Sequence, residues 1–169
     1  MGGAKIAPWV KQYVSHVTPG RAIVEVGCWL GAVTEHLVGS HPVFVYDAFE
    51  ATQSEVEKAK AFGVKLYEGQ NTLPMVRETV PGPWYIKGDI MDAGYAGPPI
   101  GLYIDDASKR AKLWNHSMSI FEPCFVPNET VLFLMDFDYP PCVEQREYAK
   151  KWTLLERRIG DTCCAVFRC

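Results

Sequence analysis

Residues 22–47 read AIVEVGCWLGAVTEHLVGSHPVFVYD, and this stretch decides the fold of the chain. It opens with a short, nearly all-apolar run, Ala22–Val26, which is typical of a strand buried on both faces of a parallel sheet. Thr34–Val38 predicts a helix, and Val43–Tyr46 repeats the buried-strand pattern before the chain reaches Asp47. Strand, helix and strand within about 25 residues make a βαβ unit, whose crossover is right-handed. The stretch therefore predicts a parallel α/β sheet.

Apolar patterning on both sides of this unit predicts the rest of the sheet. The further predicted strands are Trp84–Lys87, Ile100–Ile104, Thr130–Met135, Thr153–Ile159 and Cys163–Arg168. The further predicted helices lie near Lys5–Val17, Ser54–Phe62, Met75–Val80, Lys109–Phe121 and Val143–Trp152. The last two strands form a hairpin with Gly160-Asp161 at its turn. We therefore predict one domain over residues 1–169, an α/β fold with a doubly wound, mostly parallel, seven-stranded sheet and a C-terminal antiparallel hairpin.

Composition places the chain among ordinary globular domains. Its 169 residues are 48% apolar and 22% charged, which excludes disordered, coiled-coil and collagen-like chains. The net charge of -3 and the lack of a long basic run disfavour electrostatic binding of nucleic acid. No apolar run is long enough to span a bilayer, and Met1–Ile6 lacks the apolar stretch of a signal peptide. We therefore expect a cytoplasmic protein that acts on a small molecule, with neither nucleic acid nor membrane as partner.

Acidic residues stand where the predicted parallel strands end. They are Asp47, Asp89, Asp105, Asp106, Asp136 and Asp138. In an open doubly wound sheet, ligands bind outside the carboxyl ends of the strands, at the point where the chain switches direction. We therefore expect the functional site at this edge of the sheet.

The loop after the first strand carries the pattern E-x-G-x-x-x-G, with Glu25, Gly27 and Gly31. The dinucleotide fingerprint is G-x-G-x-x-G, whose second glycine lets the backbone approach a pyrophosphate, and Cys28-Trp29 does not supply that glycine. Glu25 would repel a diphosphate but attract an ammonium group. Asp47, about 20 residues further on, is placed to accept hydrogen bonds from ribose hydroxyls. The loop therefore predicts a cationic amino-acid nucleoside as ligand.

Five ordered segments resemble those of the class I S-adenosylmethionine-dependent methyltransferases, and within them the macrocin-type sugar O-methyltransferases. The segments are the loop Glu25–Gly31, then Asp47–Glu50, Lys87–Asp92, Ile104–Asp106 and Met135–Tyr139. The final hairpin also resembles the closing strands of that fold. The resemblance implies a Rossmann-like methyltransferase that moves a methyl group from S-adenosylmethionine to a hydroxyl of a small molecule, such as a sugar.

The same resemblance implies a cofactor site along the strand ends. Glu25, Gly27 and Gly31 would hold the methionine part of the cofactor. Asp47 would bind the ribose, and Asp89 with Ile90 would hold the adenine. The predicted cofactor site is completed by Cys28, Ala48 and Asp105.

Residues 51–83 are of mixed, more polar composition and predict a lid or an insertion. A second interpretation places the third strand at Val64–Glu68, which makes Gln70 the adenine neighbour and Trp84–Asp92 an insertion. We prefer Asp89 as the adenine neighbour, because only a short linker separates it from the fourth strand.

The resemblance also implies a Mg²⁺ site formed by Asp105, Asp136 and Asp138. Neighbouring strands lie ~4.8 Å apart, so their terminal carboxylates can share one hard cation. Such an ion would lower the pKa of an acceptor hydroxyl and orient it. The chain departs from the family in both segments of this region. Ala107 stands where the family places its catalytic acid, and Asp136-Phe137-Asp138-Tyr139 stands where the family has D-D-Y.

Three residues near the expected acceptor site are candidate catalytic groups. Asp106 and Lys109 lie at the start of the helix after the fourth strand, where either can position the acceptor or be a solvated helix-start residue. His116, further along that helix, is a candidate base, although a single histidine on a helix is more often structural.

Two other functions stay open from the sequence. Ala107 and the short segment before the first strand favour a cofactor-binding protein without transferase activity. A nicotinamide-dependent oxidoreductase on a related sheet is the second alternative.

Because few residues precede the first strand, we expect residues 51–83, or a second subunit of a homo-oligomer, to complete the acceptor pocket.

Overall fold

The computed structural model describes residues 2–159 and 163–169, with the side chains of residues 2–5 and 7 left out. In this part of the chain seven strands form one sheet. They are β1 Ala22–Val26, β2 Val43–Asp47, β3 Trp84–Lys87, β4 Ile100–Asp105, β5 Val131–Leu134, β6 Thr153–Arg158 and β7 Cys164–Arg168. Their order across the sheet is β3-β2-β1-β4-β5-β7-β6. The first five strands are parallel, and β7 pairs antiparallel with both β5 and β6, which confirms the predicted fold class.

Helices cover both faces of the sheet. They are α1 Gly2–Val14, α2 Gln53–Lys60, α3 Leu73–Thr79, α4 Ala111–Phe121 and α5 Val143–Ala149. Trp9 of α1 and Val76 of α3 pack in one apolar cluster, whereas Trp114 of α4 and Ala149 of α5 pack in the cluster on the opposite face. Every residue of β1 and of β4 is buried, because both faces of these central strands are covered.

The predicted helix over Thr34–Val38 is wrong. The structure has a single 3-10 turn at Thr34–His36, in which the Leu37 amide bonds the Thr34 carbonyl at 3.0 Å. Gly39 comes three residues after this turn and Pro42 precedes β2, and both residues oppose the second turn that a stable α-helix needs. The crossover between β1 and β2 is therefore short.

The third strand of the chain is β3, which pairs with β2, and Val64–Glu68 forms no strand. Residues 48–83 thus connect β2 to β3. Within this connection Ala51, Val56, Ala59 and Leu66 form an apolar cluster separate from the two main clusters. The predicted hairpin turn at Gly160-Asp161 lies outside the described residues.

No helix within residues 2–159 and 163–169 combines the length and the apolar character that crossing a bilayer requires.

Candidate functional site

The glycine loop after β1 depends on backbone conformations that favour glycine. Gly27 has a φ of +83° and Gly31 a φ of +82°, and between them Trp29 also lies in the left-handed region, with φ 50°. A Cβ on Gly27 would lie 2.8 Å from the Cβ of Ala107, closer than real Cβ contacts occur. The main chain after β1 therefore runs directly against the turn after β4, and only glycine fits at position 27.

Asp47, at the end of β2, holds this loop in place. Its Oδ2 accepts hydrogen bonds from the amides of Cys28 at 2.8 Å and Trp29 at 3.1 Å, and its Oδ1 accepts one from the Phe49 amide at 2.7 Å. A carboxylate oxygen has two acceptor sites, so Oδ2 is fully used and Oδ1 can accept one more bond. Sequence reasoning predicted only a ligand contact for Asp47 and missed this role, because the three amides converge on it only in the folded chain.

Glu25 is buried beneath the loop, with 1% of its surface exposed. Burial raises its pKa to about 8, and the negative charges of Asp106 and Asp47 add to the shift. The Thr34 hydroxyl, which donates to Glu25 Oε2 at 2.6 Å, opposes the shift without cancelling it. At neutral pH this carboxyl is therefore mostly protonated until a positive charge comes close.

Asp89 and Ile90 follow β3 at the same edge of the sheet. Asp89 is exposed, and its Oδ1 accepts the Met91 amide at 2.9 Å, which caps the 3-10 turn Ile90–Asp92. The cap holds the turn against the cavity and keeps Asp89 and Ile90 in its wall.

A cavity of about 1300 Å³ opens at the carboxyl ends of β1, β2 and β4. It includes the point where the strand order reverses, between β1 and β4, as expected for this class of sheet. The predicted cofactor residues that line it are Glu25, Gly27, Cys28, Asp47, Ala48, Asp89 and Ile90. Gly31 and Asp105 are not among the described residues of its wall.

The cavity is strongly acidic. Of the chain's 20 acidic residues eight line it, against two of the 17 basic residues. The acidic ones are Glu25, Asp47, Glu50, Glu55, Asp89, Asp92, Asp106 and Asp136, and the basic ones are Lys58 and Lys87. Even with Glu25 protonated, seven carboxylates remain against two ammonium groups, which favours a cationic ligand and opposes a diphosphate or a nucleic acid backbone.

Part of the wall comes from the connection between β2 and β3. Thr52, Glu55, Lys58 and Phe62 lie opposite the strand ends, and the Phe62 ring packs edge-on against Trp29, with ring centroids 6.1 Å apart. Sequence reasoning named this connection as a lid or insertion but none of these four residues as part of the site. The T-x-x-E capping box of Thr52 and Glu55 was the available signal, since it marks where α2 begins.

Asp105 has a different role from the predicted one. It is fully buried, and it accepts hydrogen bonds from the amides of Ala107 and Ser108 at 3.0 and 2.7 Å and from the Tyr103 hydroxyl at 3.0 Å. Ser117 of α4 contacts the same hydroxyl at 3.1 Å. The carboxylate therefore shapes the turn between β4 and α4 and is not presented to a cofactor or a metal.

The predicted Mg²⁺ site does not fit the residues present. Asp105 already accepts hydrogen bonds within the turn after β4, and Asp138 pairs with Arg157 of β6. Asp136, with φ 55°, lies 3.6 Å from the ammonium of Lys109. No group of three or more His, Cys, Asp or Glu side chains in the described part of the chain is arranged to hold a metal ion. The structure thus gives no support to Mg²⁺ at these three aspartates.

Lys109 lies in the turn before α4, between the ends of β4 and β5. Its Nζ donates to Asp106 Oδ1 at 2.9 Å and to the Met135 carbonyl at 2.7 Å. Burial alone would lower the pKa of Lys109, but Asp106, Asp105 and Asp136 outweigh it and raise that pKa. Burial raises the pKa of Asp106, while Lys109 acts against that shift. The structure thus brings Asp106 and Lys109 together beside the cavity.

His116 does not join them. It lies on α4, half-buried, and it is not among the described residues that line the cavity. Its buried Nε2 has no hydrogen-bond partner in the described part of the chain. The structure therefore offers no contact through which His116 would act on an acceptor in this cavity.

The strand order and the cavity at its switch point can be compared with solved structures. CalS11, a TDP-rhamnose 3'-O-methyltransferase of calicheamicin biosynthesis, superposes with a TM-score of 0.63 at 12% identity, over 98% of this chain and 77% of its own. An rRNA methylase from Streptococcus thermophilus gives 0.62 at 14% identity, over 94% and 92%. The N-methyltransferase NodS from Bradyrhizobium japonicum WM9, in complex with S-adenosyl-L-homocysteine, gives 0.61 at 13% identity, over 97% and 85%.

The fold is the Rossmann-like methyltransferase fold. No protein-family model matches the sequence, and no curated protein matches it. At these identities the likeness establishes the methyltransferase fold alone, and the three similar proteins differ in what their names say they methylate.

Proposed function

We propose that this protein binds S-adenosylmethionine and transfers its methyl group to a hydroxyl of a small molecule. The observation that carries the proposal is the acid-lined cavity at the switch point, bounded by the Gly27 turn on one side and Asp47 on the other. A sulfonium nucleoside with an amino-acid tail brings positive charge to this cavity, whereas a dinucleotide brings two negative phosphates. The acidic wall therefore favours the methyl donor over a nicotinamide cofactor.

The wall residues suit the three parts of that ligand. The buried carboxyl of Glu25 lies beside the glycine loop, where an ammonium group would draw off its proton and pair with the carboxylate. Asp47 accepts three amides, and its Oδ1 retains one acceptor site for a ribose hydroxyl. Asp89 and Ile90, held by the capped turn after β3, are the groups we assign to the adenine.

The acceptor would enter from the side of β4 and β5. Asp106, Leu113, Met135 and Asp136 line this part of the cavity. Bound donor supplies an electrophilic methyl group, and the chain contributes alignment and exclusion of water. Two carboxylates at this end disfavour a phosphate-bearing acceptor, so we propose a neutral or cationic hydroxyl compound, such as a sugar.

Binding and transfer are tested separately. Calorimetry with S-adenosylmethionine, S-adenosylhomocysteine and NADH should show binding of the first two and none of NADH. Transfer of radioactive methyl groups to a panel of sugars and other hydroxyl compounds should then identify acceptors. NADH binding without S-adenosylmethionine binding would overturn the proposal, and tight donor binding with no transfer across a broad panel would leave a binding protein without transferase activity.

A further inference from the structure

The ammonium of Lys109 is surrounded by oxygen atoms at the acceptor end of the cavity. It lies 2.9 Å from Asp106 Oδ1, 2.7 Å from the Met135 carbonyl oxygen and 3.6 Å from Asp136 Oδ2. Only 15% of the Lys109 side chain is exposed, whereas Asp136 is 59% exposed. The Lys109 ammonium thus lies between the carboxyl ends of β4 and β5. A divalent ion bound there would need the same three oxygens.

One oxygen of the Asp106 carboxylate, Oδ2, is not bound by Lys109. Lys109 binds Oδ1 of Asp106, and Oδ2 of Asp106 has no hydrogen-bond partner among the described residues. The Asp106 side chain is 35% exposed and lines the cavity. Its main chain is held as well, because the Asp106 amide donates to the Val26 carbonyl at 2.8 Å. Asp106 is therefore held through its main chain and its Oδ1, while its Oδ2 accepts no hydrogen bond from the described residues.

We propose that Lys109 takes the place of a divalent metal at the acceptor site and holds Asp106 so that its Oδ2 receives the proton of the acceptor hydroxyl. This inference rests on the proposed methyl transfer. The acceptor oxygen forms a bond to the methyl carbon, and the carbon–sulfur bond breaks with its electron pair going to sulfur, which leaves neutral S-adenosylhomocysteine. The hydroxyl proton passes to Asp106 Oδ2. Asp106 is the catalytic residue and Lys109 a positioning residue.

The position of Asp106 accounts for the departure at Ala107 from the family that this chain resembles. Ala107 stands where the resemblance places a catalytic acid, and its methyl group lies against the turn at Gly27. A carboxylate at 107 would have to point away from that contact. Asp106, one residue earlier, reaches the cavity instead.

Metal binding gives a test that needs no acceptor. We expect electron paramagnetic resonance titration with Mn²⁺ to show no saturable binding by the wild-type protein or by Lys112→Ala, whose lysine is exposed on α4. Lys109→Ala removes the cation and leaves the three oxygens around its position, so it should gain saturable Mn²⁺ binding, which Asp136→Asn in the same chain should weaken. Saturable binding by the wild type that Asp136→Asn removes would overturn the inference, as would a folded Lys109→Ala protein that gains none.

Transfer to a hydroxyl acceptor found in the panel gives the second test. Asp106→Asn should bind S-adenosylmethionine like the wild type but transfer methyl groups about 10²- to 10⁴-fold more slowly, the usual loss of a general base. Lys109→Arg should keep more activity than Lys109→Ala, and EDTA should leave the wild-type rate unchanged. A wild type that fails to bind S-adenosylmethionine contradicts the proposed function, whereas donor binding with EDTA-sensitive transfer contradicts only this inference.

Discussion

The backbone of Gly27 lies in the cavity wall and runs against the turn after β4. We predict that Gly27→Ala destabilises the fold by about 2 to 4 kcal/mol, because alanine adds left-handed backbone strain to a Cβ contact with Ala107 at 2.8 Å. Donor binding should be lost as well, since relief of the contact must move the loop or the turn after β4. Urea denaturation and calorimetry measure the two effects.

Gly39→Ala is the matched control for this prediction. No atom lies within 4 Å of a Cβ built at Gly39. We expect this variant to stay within about 0.5 kcal/mol of the wild type, as surface substitutions usually do. Equal stabilities for the two variants would show that the close approach at Gly27 does not exist.

Glu25 makes stability depend on pH. Folded Glu25 keeps its proton up to a pKa of about 8, whereas the unfolded chain loses it near 4.5. The folded state binds more protons between these values, so the free energy of unfolding falls as pH rises through that window, by up to about 1.4 kcal/mol per pH unit. Glu25→Gln lacks this term and should be more stable than the wild type at pH 8 but similar at pH 5, as measured by urea denaturation.

The same residue predicts proton release on binding. If an ammonium group pairs with the Glu25 carboxylate, wild-type protein should release close to one proton per donor bound at pH 7. Calorimetry in two buffers of different ionisation enthalpy measures this number, and Glu25→Gln should release none. Identical values for both proteins would mean that the ammonium does not approach Glu25.

Asp47 has both a structural and a binding role at the residue scale. Asp47→Ala deletes three amide contacts and the proposed ribose contact, so we expect weaker donor binding by ~1 to 3 kcal/mol together with a loss of stability. Asp47→Asn keeps one acceptor oxygen and should fall between alanine and wild type. Calorimetry on folded variants decides the ribose assignment, which unchanged affinity in Asp47→Ala would refute.

At the scale of elements, the turn between β4 and α4 is built around Asp105. We predict that Asp105→Asn lowers the free energy of unfolding by about 2 to 4 kcal/mol, because one of its two buried oxygens becomes an NH2 group that cannot accept. Either the two bonds from the Ala107 and Ser108 amides or the bond from the Tyr103 hydroxyl is then lost. Thermal and urea denaturation measure the loss. Asp138→Asn, whose partner is Arg157 near the surface, should cost under about 1 kcal/mol. If the Asp105→Asn protein is as stable as the wild type, the turn does not depend on Asp105, and Asp105 is again a candidate Mg²⁺ ligand.

The elements also show where local patterning is a weak guide. The predictions Ala22–Val26 and Val43–Tyr46 are correct as strands, because short apolar runs of this kind are typical of a sheet covered on both faces. Thr34–Val38 fails as a helix because a segment this short gains too few hydrogen bonds to offset the cost of its first turn. Helix α4 begins at Ala111 rather than Lys109, which frees Lys109 for its contacts with the strand ends.

At the scale of the whole molecule, β7 joins the parallel part of the sheet to its last strand. Leu132, Phe133 and Leu134 of β5 are fully buried, and β7 supplies their antiparallel neighbour. We predict that a chain ending at residue 152 does not fold, because it exposes this strand and loses apolar burial worth roughly 1.5 to 3 kcal/mol per large side chain, against a total stability of only about 5 to 15 kcal/mol. Solubility and circular dichroism test this.

Point substitutions separate burial from strand pairing in the same hairpin. Phe167 of β7 is buried, and its register partner Leu154 of β6 is half exposed. Phe167→Ala should cost about 3 to 5 kcal/mol, and Leu154→Ala about 0.5 kcal/mol or less. Equal losses would contradict the burial of the sheet on the side of Phe167.

The sequence alone determined the strands, their parallel arrangement, the antiparallel hairpin and the acidic edge, because these depend on apolar runs and on residues next to each other in the chain. Only the tertiary structure decided what the acids do. Asp47, Asp105 and Asp106 follow strands in the same way, yet one binds loop amides, one is buried in a turn and one faces the cavity beside Lys109. The physical reason is that the pKa and the free lone pairs of a carboxylate depend on donors from distant parts of the chain, which no local pattern records.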